Sequence, residues 1–267
     1  MQPMLNIALR AARRAGQIIV RALDRVDILQ VEEKQRNDLV SEVDRAAEDA
    51  IIETLHRAYP DHAIVAEESG ATGEGAYTWI IDPLDGTTNF LYGIPHFAVS
   101  IALRHRDRIE QAVVLDPLRN EEFIASRGVG AQLNGRRMRV SKRNHLELAV
   151  IGTGIPYRAV AQDLDAYTNI LKDLTRTCRG VRRGGAAALD LAYVAAGRFD
   201  AYFEVGLKSW DIAAGALLIE EAGGIVSDLG GRSRHIEIGN VACGNPKCHR
   251  ELLAHIEPYL TDHLRNG

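Results

Sequence analysis

Trp79-Ile80-Ile81-Asp82-Pro83-Leu84-Asp85-Gly86-Thr87-Thr88-Asn89 joins three local signals in one short stretch. The apolar run Thr78 to Ile81 reads as a strand, and it ends in Asp82. Pro83 fixes its own φ and stiffens the turn that follows. Gly86-Thr87-Thr88 then offers backbone N–H groups and hydroxyls at the start of a helix, where an anion is favoured. Open sheets place their ligand-binding groups at such strand ends. Asp82 and Asp85 are like charges held close together, and a hard divalent cation would offset their repulsion. Mg2+ takes carboxylate, carbonyl and water oxygens. A turn with an Asp cap accounts for Asp85, but it leaves Asp82 at the end of a buried strand unexplained.

Upstream, Met4, Ala8, Ala11, Ala15, Ile18 and Ala22 recur at helical spacing. Ser41-Glu42-Val43-Asp44 has the form of a capping box, and the helix it opens ends before Pro60. Strands are predicted at 63–66, leading into Glu67, and at 97–103, 111–115 and 122–125. Asn134-Gly135 forms a hairpin-type turn. Residues 1 to about 145 therefore read as two helices and a largely antiparallel sheet.

From about 146 to 267 strand and helix alternate. Strands are predicted at 149–153, 199–204 and 225–227. Helices are predicted at 160–174, from Gly184-Gly185 to Gly197, from Asp211 to Gly223-Gly224, and around Leu252 to Leu260. The fold class expected is α/β with an α+β N-terminal half, the whole of 1–267 packing as one unit.

Two more acidic positions resemble the first pair. Glu67-Glu68 ends a strand, and Trp210-Asp211 opens a helix of small and apolar residues. Either alone reads as a solvated Glu or a helix-capping Asp. Together with Asp82 and Asp85 they suit one shared metal centre.

The composition is that of an ordinary globular chain. Of 267 residues, 46% are hydrophobic and 25% charged, which excludes a disordered chain. A net charge of −4 argues against general nucleic-acid binding. The N-terminal helix is interrupted by arginines, unlike a signal peptide, and no apolar run reaches membrane-spanning length. Three cysteines, an odd and sparse count, suit a reducing cytoplasm, and Cys243, Cys248 and His249 lack the further ligands a zinc site needs. No GxxxxGK[ST] loop, HExxH helix or GxSxG elbow occurs. His96, beside Pro95, reads as structural.

Residues 79–90 resemble the first signature of the inositol monophosphatase family, and Trp210-Asp211-Ile212-Ala213-Ala214-Gly215 running to Ala222-Gly223-Gly224 resembles the second. Their order and separation fit, and the resemblance covers essentially the whole chain. It implies a layered αβαβα sandwich and Mg2+-dependent, lithium-sensitive hydrolysis of small phosphomonoesters such as inositol-1-phosphate. It carries metal ligation onto Glu67, Asp82, the carbonyl of Leu84, Asp85 and Asp211. Thr87 with Asp44, and Glu67, would activate the attacking water. Asp85, Gly86, Thr87, Gly185, Ala186, Ala187, Glu204 and Asp211 would contact substrate, with Gly86 and Thr87 on the phosphate and Glu204 on the alcohol. The family usually has Gly-Ser or Gly-Thr where this chain has Gly185-Ala186, so a hydroxyl near the substrate is missing. The mechanism implied is in-line attack of activated water on phosphorus, with Mg2+ lowering the water's pKa and stabilising the leaving alkoxide.

Two other readings stand beside it. One is a related phosphatase acting on fructose bisphosphate or a nucleotide bisphosphate. The other is a binding protein in transcription, because some bacterial members are associated with ribosomal antitermination complexes alongside Nus factors and RNA polymerase. Arg176, Arg179, Arg182 and Arg183 form the densest basic stretch, suited to RNA or a protein partner, or else to a solvated helix end or dimer contact. The resemblance also implies a homodimer.

Overall fold

The computed structural model describes residues 2–28, 31–35, 38–156 and 161–266. The chain opens with α1 (Pro3–Ala22), a hairpin of β1 (Val31–Gln35) and β2 (Asp38–Ser41), and α2 (Glu42–Ala58). There follow β3 (Ala63–Ala66), β4 (Gly70–Thr72), β5 (Tyr77–Asp85) and the short helix α3 (Thr87–Leu91). The strands β6 (Ala98–His105), β7 (Arg108–Asp116), β8 (Glu121–Ser126), β9 (Gly130–Leu133) and β10 (Arg136–Arg137) complete the first half. The second half runs β11 (Val150–Thr153), α4 (Ala161–Thr177), β12 (Gly180–Arg182), α5 (Ala187–Ala195), β13 (Ala201–Glu204) and α6 (Ser209–Glu221). It ends with β14 (Ile225–Ser227), α7 (His235–Ile238), β15 (Val241–Gly244), α8 (Pro246–Ile256) and α9 (Asp262–Asn266).

The first sheet has the order β10-β9-β8-β7-β6-β5-β3-β4, antiparallel except where β3 runs parallel to β5. The second has the order β12-β11-β13-β15-β14, with β11 parallel to both its neighbours. The largely antiparallel first sheet and the mixed second one agree with the sequence pattern.

Alternation along the strands deals side chains to separate cores. Trp79 and Ile81 of β5, with Val99, Ile101 and Leu103 of β6, pack under α1 and α2. Ile80, Ala98 and Ala102 point the other way, onto α5 and α6. Those two helices are apolar nearly all round, as a helix buried on every side must be. Tyr202, Val241 and Cys243 of the second sheet close their far side. The opposite face of that sheet, Ala201, Phe203 and Ala242, packs with Ile170 and Leu174 of α4 and Leu252 of α8. Helices, sheet, helices, sheet, helices: this is the expected αβαβα sandwich.

Three details differ from the sequence reading. Gly184-Gly185 does not open the helix; Gly185 has φ +89°, and α5 begins at Ala187. The strands β1, β2, β4, β12 and β15 and the helix α7, all short, were not foreseen. The predicted helix start at 160 lies outside the described residues, and the described helix runs on to Thr177. The Asn134-Gly135 turn is as expected, both residues having positive φ.

Candidate active site

The site lies where β5 stops. Asp82 pairs with Ser100 and Asp85 with Ala98, so three steps on β5 span two on β6. In a regular strand, residues three apart face opposite sides. The extra residue of this bulge, beside Pro83 with its missing N–H, brings both carboxylates to one side. Leu84 N–H donates to Asp82 Oδ1 at 3.0 Å and fixes the turn. Asp211 arrives from the first turn of α6, whose start is tied to β6 by the Ser100 hydroxyl donating to the Trp210 carbonyl at 3.1 Å. One carboxylate oxygen from each of Asp82, Asp85 and Asp211 lies within 4.8 Å of the others. Glu67, whose N–H donates to the Ile81 carbonyl at 3.2 Å, hydrogen-bonds Asp82 through its side chain.

These acids are hard to ionise together. Burial, then the charges of Glu67, Asp85 and Asp211, holds Asp82 well above the usual carboxylate range. Burial, then Asp211, does the same to Asp85, against the N–H groups it accepts. Asp82 is 1% exposed and Asp85 8%. An all-oxygen cluster, buried and mutually repelling, fits a hard divalent cation. It is the only cluster with metal-ligand geometry among the described residues.

Asp44 combines its two readings. Its Oδ2 accepts from the Ser41 N–H at 2.9 Å and from the Ser41 hydroxyl, completing the capping box. Its Oδ1 accepts from the Thr87 hydroxyl at 2.9 Å, and that hydroxyl also lies 3.1 Å from the Leu84 carbonyl. Thr87 thus links Asp44 to the bulge that carries the carboxylates. Gly86 has φ +92°, and a Cβ there would press on the His96 carbonyl and on Ala186.

The departure at Ala186 has a structural consequence. Ala186 is the N-cap of α5 and has no side-chain acceptor to offer. Asp85 supplies the cap from a distance: Ala187 N–H donates to its Oδ1 at 3.1 Å and Ala188 N–H to its Oδ2 at 2.7 Å. Asn89 holds the preceding turn, donating to the carbonyls of His96 at 2.6 Å and Gly184 at 3.0 Å.

Glu204 ends β13. The Tyr202 hydroxyl donates to it, and a Cβ on Gly154 would overlap its carboxyl group. Burial first, with Asp190 and Asp211 adding, pushes Glu204 up to about 8; Tyr202 and Arg183 oppose this. Arg183, from the basic stretch, therefore acts electrostatically on Glu204 and Asp190. His96 Nε2 lies 3.1 Å from Oδ1 of the buried Asp190.

Sequence reasoning missed Glu48, Asn89 and Asp190. Asp190 stands out as the one charge within the apolar run of α5. Glu48 lies one turn beyond Asp44 on the buried face of α2. That placement was visible in the helical period.

Fold and site together define a metal-type carboxylate centre at the strand ends of a five-layer sandwich. The chain belongs to the inositol monophosphatase family, whose profile matches residues 1–261. It is 58% identical over 270 residues to the Nus factor SuhB of Pseudomonas aeruginosa, covering 99% of this chain and 100% of that protein. The crystal structure of extragenic suppressor protein suhB from Bartonella henselae superposes with TM-score 0.93 at 43% identity, over 96% of this chain and 99% of that one. Inositol monophosphatase from Anabaena superposes with TM-score 0.82 at 35% identity, over 95% of each chain. Family membership implies a metal-dependent phosphatase activity. No helix among the described residues is long and apolar enough to cross a membrane.

Proposed function

We propose that this protein hydrolyses inositol-1-phosphate and similar small phosphomonoesters, with Mg2+ held by Glu67, Asp82, the Leu84 carbonyl, Asp85 and Asp211. The observation that carries the reading is the convergence of Asp82, Asp85 and Asp211 within 4.8 Å beside the Thr87–Asp44 hydrogen bond. When bound, Mg2+ supplies Lewis-acid charge that favours water ionisation and stabilises a leaving alkoxide. The protein's own groups do the rest. Thr87, its hydroxyl bonded to Asp44, orients the attacking water and passes its proton to the Asp44 carboxylate, with Glu67 as a further acceptor. Burial raises the Asp44 pKa, which makes it a better proton acceptor, while Ser41 and Thr87 oppose the rise. Gly86 and Thr87 N–H groups hold the phosphate. Gly185, Ala186, Ala187 and Glu204 border the alcohol. Phosphoryl transfer asks mainly for positioning and charge neutralisation, and no phosphoenzyme is needed.

A second role rests on the relative named Nus factor SuhB. It would place the chain in the cytoplasm, in a ribosomal antitermination complex with RNA polymerase, Nus factors and RNA, as a homodimer on its own. The exposed Arg176, Arg179 and Arg182 suit such contacts. Side-by-side hydrolysis of inositol-1-phosphate, fructose-1,6-bisphosphate and a nucleotide bisphosphate, with and without Mg2+ and Li+, tests the first role. Preference for inositol-1-phosphate is expected; preference for a bisphosphate would replace the reading with its relative. Co-purification of Asp82→Asn with Nus factors tests the second, and loss of binding in that variant would tie the two roles together.

A further inference from the structure

We propose that Glu48 is a positioning residue for the metal centre: it fixes the turn that carries Glu67. The proposal rests on the metallophosphatase reading above. Glu48 is 2% exposed on α2, one turn from Asp44. A carboxylate so deep needs partners. Among the described residues, two backbone N–H groups serve as partners. Glu68 N–H donates to its Oε2 at 2.8 Å and Ser69 N–H to its Oε1 at 2.7 Å.

The two bonds clamp the main chain immediately after Glu67. On the other side, the Glu67 N–H is held by the Ile81 carbonyl of β5. Glu67 is thus fixed between the strand that delivers Asp82 and the helix that delivers Asp44. Asp82, Asp85 and Asp211 converge within 4.8 Å, whereas Glu67 stands outside that group and reaches it through Asp82. Glu67 is followed by an exposed three-residue edge strand, β4, that adds little restraint. Helix α2 therefore serves the site twice, gripping Thr87 with Asp44 and the Glu67 turn with Glu48. Glu48 lies outside the group formed by Asp82, Asp85 and Asp211, and its role runs through Glu67.

The test is calorimetric titration of Mg2+ into the full-length protein: wild type, Glu67→Gln, Glu48→Gln and the double variant. Gln keeps the shape of Glu48 but offers one acceptor where two N–H groups wait. Removing a support of this kind typically weakens metal binding by about 10- to 100-fold. Glu48→Gln is expected to raise the Mg2+ Kd at least about tenfold on that basis, and to add little in the Glu67→Gln background. Glu48→Asp, which keeps the charge but reaches one N–H, gives an intermediate Kd and serves where Glu48→Gln does not fold. A lower Tm with an unchanged Kd would overturn the proposal and make Glu48 a structural clamp only. So would full additivity with Glu67→Gln. If Glu67→Gln itself binds Mg2+ like wild type, the ligand role of Glu67 falls, and the proposal falls with it.

Discussion

Gly154→Ala tests the alcohol side of the site without replacing an ionisable residue. Gly154 follows β11, and a methyl group there would overlap both carboxyl oxygens of Glu204. The Glu204 side chain must move, and the bond from the Tyr202 hydroxyl breaks. Overpacking of this kind costs about 1–3 kcal/mol. At about 2–4 °C per kcal/mol for a chain of this size, Tm falls by roughly 2–12 °C. The functional cost is separable. With Glu204 held up to about 8 and so largely protonated near neutral pH, its hydrogen bond is worth about 0.5–1.5 kcal/mol, or roughly 2- to 13-fold in kcat/KM. That loss is expected for inositol-1-phosphate, whose ring hydroxyls would meet Glu204. It is not expected for 4-nitrophenyl phosphate, which has none, and the Mg2+ Kd should hold. Steady-state kinetics on both substrates decide the matter. Equal losses on both, or no loss on inositol-1-phosphate, would refute the placing of Glu204 at the alcohol.

Thr87→Val removes the hydroxyl that joins Asp44 to the bulge, while the Ser41–Asp44 box remains. Phosphate release should fall about 10²- to 10⁴-fold, with circular dichroism unchanged. Asn89→Ala strips the donor from the carbonyls of His96 and Gly184, and unfolding in urea should show a loss of about 2 kcal/mol or more. For pH, the folded pKa values of Asp82, Asp85 and Glu204 are all raised, the last to about 8. Raised acids hold their protons more tightly when folded. Their stabilising contribution is complete below about pH 4 and is lost as pH rises through the folded values. Metal-free protein should therefore lose Tm between about pH 4 and 8, and added Mg2+ should stabilise it increasingly as pH rises. A metal-free Tm flat across that range would contradict the burial of these charges.

The carboxylate cluster was legible because each acid interrupts a strong apolar signal. Asp82 stops the run Trp79 to Ile81, and Asp211 stands before a helix with no other charge until Glu220. The αβαβα layering was an expectation of the family resemblance; period alone supported two helices with a largely antiparallel sheet in the first half and alternating strand and helix in the second. What could not be read were relations across long stretches of chain. Asp85 caps a helix 102 residues away, a task that the sequence at Ala186 gives no hint of. The bulge that turns Asp82 and Asp85 to one side depends on pairing with β6, and Pro83 alone did not imply it. Nothing around Gly154 in the sequence marks that the Glu204 carboxyl group occupies its side-chain space.

Phosphate release from inositol-1-phosphate, with and without Mg2+, by wild type and Asp82→Asn, tests the central claim most directly. The account predicts release that requires Mg2+ in the wild type and vanishes in the variant, while the variant stays folded. Release that persists in Asp82→Asn, or that ignores Mg2+, would contradict a metal centre built on these carboxylates.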